Sequence, residues 1–195
     1  MIKTFSFEKY WDLDTYKDIM QCVSKANYYH NNDFKYKFNR FYRVRRNCGW
    51  QNSFYDLFSR AMNNTDRFAE LLDEMYKKTG RFEASYVSKM LATVDCNMPI
   101  YDKNVLNFLG ISVPEKKTVE NLTTIYKQII EKNSDYADSK KGKEYIEWFD
   151  HDLSDYKWIS STKKVDFLFW TMGSESNIDF LVQEKLNNYV EGFIK

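Results

Sequence analysis

The stretch "MPIYDKNVLNFLG", Met98 to Gly110, sets one carboxylate, Asp102, between an apolar approach and an amphipathic run that closes on Leu-Gly. An aspartate at that place has two readings. It can cap the helix that follows, accepting a backbone N–H of the first turn. Equally, a carboxylate at a helix N-terminus beside an apolar wall stays ionised and fixed, which suits it to stabilise positive charge developing on a reacting centre. A second constellation runs from Phe34 to Arg46. There Lys35, Lys37, Arg40, Arg43, Arg45 and Arg46 are interleaved with Phe and Tyr, and no acid intervenes. Cations beside flat rings offer phosphate contacts and stacking surfaces together, the chemistry of binding DNA or RNA. The same pattern fits a solvated helix face over core aromatics, or a surface for an acidic protein partner.

Weaker candidates surround these two. Glu83, Asp95 and Asp102 could gather into a carboxylate cluster, although nothing in their spacing demands it. "DHD" at Asp150 to Asp152 reads as a solvated acidic helix end before it reads as a metal site. No P-loop, GxGxxG, HExxH or nucleophile elbow occurs, so NTPase, dinucleotide and zinc-hydrolase classes find no support. The three cysteines, Cys22, Cys48 and Cys96, lack close spacing, and the histidines are His30 and His151 alone. The expectation is therefore no metal, no cofactor, no disulfide framework and a reducing cytoplasm. No apolar run is long enough to span a membrane, and the N-terminus lacks the apolar core of a signal peptide.

The elements that must position these residues read as helices. With 195 residues, the chain (residues 1–195) is expected to form one helical domain, with room for two lobes sharing a core. Six glycines and two prolines are too few to punctuate many short strands. "DRFAELLDEMYKKTG" has acids early, lysines late and a glycine after, the order that the helix dipole and a C-terminal stop both favour, with Asn64 or Thr65 as its cap. "EASYVSKMLATV" packs through Tyr86, Val87, Met90, Leu91 and Val94, and "DCNMP" breaks it before a short helix that ends at Leu109. Thr118 caps "VENLTTIYKQIIEKN". "VDFLFW" has the composition of a buried strand inside a helical context, so both forms stay open there. The count is roughly nine or ten helices.

"EASYVSKMLATVDCNMPIYDKNVLNFLG" resembles the middle of the helix-hairpin-helix DNA glycosylase superfamily, the 8-oxoguanine glycosylase-like fold. The match falls on Pro99, Asp102, Asn104, Val105, Leu109 and Gly110. The resemblance implies a compact two-lobed all-α scaffold and an aspartate, here Asp102, that supports expulsion of a damaged base flipped out of the duplex. Bifunctional members carry a Schiff-base lysine upstream, and Lys89 is the nearest candidate. The family's Gly-rich hairpin has no counterpart beyond Gly80 in "KTGRFEAS". The chain is also similar to small bacterial proteins that share Arg45-Arg46-Asn47 with Trp50, Ser88-Lys89 with Leu91, Pro99 to Val105, and Asp166-Phe167 with Trp170.

The expectation is an all-α protein that recognises nucleic acid and acts on it as a glycosylase through Asp102. Lys89 and Asn104 would be its neighbours, and the basic run would hold phosphates. A module that keeps the scaffold for interaction without chemistry is the other class.

Overall fold

The computed structural model describes residues 7–23, 28–61, 68–174 and 180–193. Eleven α-helices occur among them, with no strand. In chain order they are α1 (Phe7–Tyr10), α2 (Leu13–Val23), α3 (Asn32–Phe41), α4 (Cys48–Ala61), α5 (Phe68–Thr79) and α6 (Ala84–Val94). They continue as α7 (Lys103–Leu109), α8 (Val119–Asp138), α9 (Lys140–Asp152), α10 (Ser161–Met172) and α11 (Phe180–Val190). Short 3-10 turns lie at Tyr28–His30 and Ser154–Tyr156. The expected caps at Asn64 or Thr65 lie outside the described residues. No described helix is long and apolar enough to cross a membrane.

Local signals account for several helix ends. Asn31 caps α3 by accepting from the Asp33 and Phe34 amides. Thr118 and Asn121 form a reciprocal capping box on α8. Gly110 ends α7 at φ 64°, a left-handed position that a glycine reaches without steric penalty. Ser139 serves two helices at once: its Oγ donates to the Tyr136 carbonyl closing α8 and accepts from the Gly142 amide opening α9.

The β-rich look of "VDFLFW" has a simple cause. It belongs to α10, and that helix is buried nearly all round, from Lys163 to Phe169. A helix without a wet face loses its 3.6-residue polar rhythm and reads as a continuous apolar run. α10 packs against α7, α8, α9 and α11. α5 joins α4 and α6 to α8, and α2 rests on α3 and α6. The core between them is rich in rings. Trp11 stacks between Phe149 and Phe167 at 5.8 and 5.3 Å, and its Nε1 donates to Thr171 Oγ1 at 2.8 Å.

The close approach of α10 to α7 depends on Gly173. A methyl built there would lie inside the van der Waals envelope of the Asn104 carbonyl and crowd the Phe108 amide. Gly173→Ala therefore has to push α7 away from α10. The expected cost is about 1–3 kcal/mol of stability, the ordinary range of overpacking. A thermal melt of the variant checks this, and an unchanged midpoint would mean that the two helices separate freely.

Candidate functional site

Asp102 is a cap and also an ion-pair partner. Its Oδ1 accepts the Asn104 amide at 3.1 Å, which opens α7. Its Oδ2 accepts from Lys89 Nζ, also at 3.1 Å. Lys89 projects from α6 one turn after Ser85, whose Oγ accepts a second bond from the ammonium at 3.0 Å. The two side chains are 11% and 19% exposed, so the pair is mostly sheltered but still open to solvent.

The segment carrying Asp102 is braced from three directions. The Ile100 amide donates to both oxygens of Asp166 on α10, at 3.2 and 3.1 Å. The Tyr101 amide donates to Ser88 Oγ on α6 at 2.9 Å. Tyr126 on α8 donates its hydroxyl to the Pro99 carbonyl at 2.9 Å. Ser160, the cap of α10, donates to the carbonyl of Cys96 just upstream. A turn without secondary structure must find its hydrogen bonds elsewhere, and here four side chains from three neighbouring segments supply them.

Asp166 brings Lys163 with it. Lys163 Nζ lies 3.8 Å from Asp166 Oδ2, with both side chains almost wholly buried, an ion pair rather than a hydrogen bond. The ammonium sits over the rings of Tyr16, Tyr42 and Phe167 at 5.4, 5.6 and 5.0 Å. Burial pushes Lys163 down to about 8 against the pull of Asp166, and the Lys89 cation pushes the same way as burial. Burial likewise pushes the Asp166 carboxyl up to about 6, against the Lys163 charge and the Ile100 amide.

A third pair completes a row. Arg46 meets Glu83 at 3.1 Å, with the Glu83 side chain buried at the start of α6. Arg46, Lys89 and Lys163 alternate with tyrosines. The Tyr86 ring lies 5.4 Å from the Arg46 guanidinium and 5.5 Å from Lys89 Nζ, and Tyr42 lies 5.9 Å from Lys89 Nζ and 5.6 Å from Lys163 Nζ. Each cation has its own carboxylate, so the row as a whole is neutral.

The residues expected from sequence separate into groups. Lys89, Asp102 and Asn104 come together. Glu83, Asp95 and Asp102 take different partners, Arg46, the Asn97 amide and Lys89. In the basic run, Lys37 is held by Asp18 and Asp33 at 3.0 and 2.9 Å, and Lys35 lies half-buried over Tyr55. Arg40, Arg43 and Arg45 are exposed. Asp150 pairs with Lys164 at 2.6 Å. Asp152 is held down at about 2 by His151 and Lys185. No group of three or more His, Cys, Asp or Glu suited to a metal occurs among the described residues. A surface depression of about 650 Å³ lies at the far end of α7 from Asp102, between Gly110, Ser112, Gln128 and Glu131.

Sequence reasoning missed Lys163 as a member of the site. It noted Ser88 and Asp166 as parts of shared patterns, without roles. Comparison with known proteins adds no relative: no family model, no curated protein and no solved structure matches the chain.

Proposed function

We propose that the chain recognises nucleic acid through the exposed arginines at the end of α3, and that Asp102 with Lys89 supports excision of a base. One observation carries the reading: an ammonium and a carboxylate meet at 3.1 Å at a capped helix start, partly open to solvent. The Asn104 amide and the Lys89 ammonium each fix one carboxylate oxygen, so the negative charge is held without conformational freedom, as stabilisation of an oxocarbenium-like sugar requires. Buried ionisable groups with displaced pKa values beside such a pair, here Lys163 and Asp166, are a recurring mark of functional sites.

A second reading has its own observation. Arg46, Lys89 and Lys163 are already neutralised inside the protein, and both Asp102 oxygens are engaged. That is the arrangement of a structural ion-pair network on a non-catalytic interaction module.

Phosphate recognition falls to Arg40, Arg43 and Arg45, since Lys37 and Arg46 face carboxylates. Binding to DNA should weaken linearly with log salt, and Arg40→Ala plus Arg45→Ala should reduce the slope by about two units, one per lost contact. A titration from low to moderate ionic strength measures it. Wild-type protein that binds no DNA or RNA at low salt would end the nucleic-acid reading.

A further inference from the structure

We propose that the outer face of α3 and the turn after it bind single-stranded nucleic acid, with Tyr36 stacking on an unpaired base and Arg40, Arg43 and Arg45 holding phosphates. This rests on the nucleic-acid reading and adds to it a strand class and a stacking residue.

The three aromatics at the start of α3 divide sharply. Phe34 and Phe38 are fully buried, while Tyr36 is 65% exposed. Other exposed aromatics lean on rings, Tyr76 on Phe82 at 4.2 Å and Trp158 on Tyr16 at 5.9 Å. Tyr36 has no such neighbour among the described residues. Arg40 follows it by one helical turn and so lies on the same face.

The charges are sorted along this surface. Asp18 and Asp33 neutralise Lys37 near the beginning of α3. Arg40, Arg43 and Arg45 have no carboxylate partner among the described residues. A helix C-terminus favours a cation in its last turn, which accounts for Arg40 but not for the two arginines beyond it.

Arg43 is the left-handed residue that ends α3. Its backbone sits at φ 53°, the left-handed region that a residue with a side chain rarely adopts. The turn is closed by the Arg43 amide on the Arg40 carbonyl at 3.3 Å and the Val44 amide on the Asn39 carbonyl at 2.8 Å. The guanidinium is thereby laid over the Trp170 ring at 5.7 Å. Those two backbone bonds form a Schellman stop, so the left-handed residue belongs to the helix end, and what remains distinctive is an exposed guanidinium without a carboxylate partner among the described residues. Phosphodiesters complement the three guanidiniums. Unpaired bases complement Tyr36, because the faces of bases in a duplex are covered by their neighbours and those in a single strand are open.

Fluorescence anisotropy with labelled oligothymidylate, oligouridylate and a duplex of equal length, at low salt, tests the proposal. The single strands should bind more tightly than the duplex, and the two oligonucleotides show whether the sugar matters. Tyr36→Ala should weaken single-strand binding about five- to a hundredfold, with duplex binding unchanged, and Tyr36→Phe should retain it. Arg43→Gly removes the guanidinium and relieves the backbone, so it should weaken binding while melting no lower than wild type. Equal single-strand affinity in wild type and Tyr36→Ala, or a wild-type preference for duplex, overturns this proposal alone. Binding to none of the three probes overturns it together with the nucleic-acid reading.

Discussion

Asp102→Asn is expected, on the proposed excision reading, to reduce base release by a hundredfold or more, the scale of losing one preorganised electrostatic group. Asparagine is an equally good cap, so α7 keeps its start. What disappears is the negative charge that faces Lys89 at 3.1 Å. Stability should fall as well, by about 1.5–3 kcal/mol, because a hydrogen bond to a charged group in a sheltered place is lost. Asp102→Ala removes the cap too and should cost about 1 kcal/mol more. The Ala-minus-Asn difference in melting isolates the cap, and the Asn-minus-wild-type difference isolates the ion pair. Base release from a panel of damaged duplexes, measured beside those melts, separates chemistry from folding. Release that survives in the Asn variant would assign Asp102 to capping and ion pairing alone.

The second large effect is expected at Lys163 and Asp166, and it is an effect on stability. Asp166→Ala strands a buried ammonium and leaves the Ile100 amide without its acceptor. The expected cost is about 3–5 kcal/mol, or about 6–20 °C in melting temperature for a chain of this size. Lys163→Met combined with Asp166→Asn removes both charges and keeps an oxygen for Ile100. That double variant should be near wild type at neutral pH, since a buried pair replaced as a unit is often neutral or stabilising.

The pH dependence of the pair follows from the two displacements. The Asp166 carboxyl is raised, to about 6, so its stabilising contribution is present below the ordinary carboxylate range and is lost as pH rises through about 6. The Lys163 ammonium is depressed, to about 8, so its contribution is present above the ordinary lysine range and is lost as pH falls through about 8. Relative to the double variant, wild type should therefore be least stable between these values and gain on either side. Denaturant midpoints measured from below about 6, toward the ordinary carboxylate range, to above about 8, toward the ordinary lysine range, provide the measurement. A difference that does not vary with pH would mean that the pair is not buried as described.

Helix class and several helix boundaries could be read from the chain because they are local. Asp102 before α7 and Gly110 after it, Thr118 before α8, and the acid-to-lysine order of α5 act within one turn of where they stand. Asp102 and Lys89 were also legible as candidates. Their contact was not, because it depends on how α6 and α7 are set against each other across the "DCNMP" break.

The partners of the site required the tertiary structure. Lys163 and Asp166 stand three residues apart on α10, a spacing that in sequence looks the same as an exposed helix-surface ion pair. Only the tertiary packing around α10, with the rings of Tyr16 and Tyr42 over Lys163 and the Ile100 segment over Asp166, buries them and displaces their protonation. Asp166 also reaches an amide 66 positions away, and Arg46 a carboxylate 37 away, distances over which no local pattern carries information. The alternation Phe34, Tyr36, Phe38 suits a strand with one face, yet the helix buries both phenylalanines and exposes the tyrosine between them. Residue type and spacing by themselves determined which groups could do chemistry. Burial, a property of the surrounding helices, decided which of them keep their charge, which are paired and which face solvent.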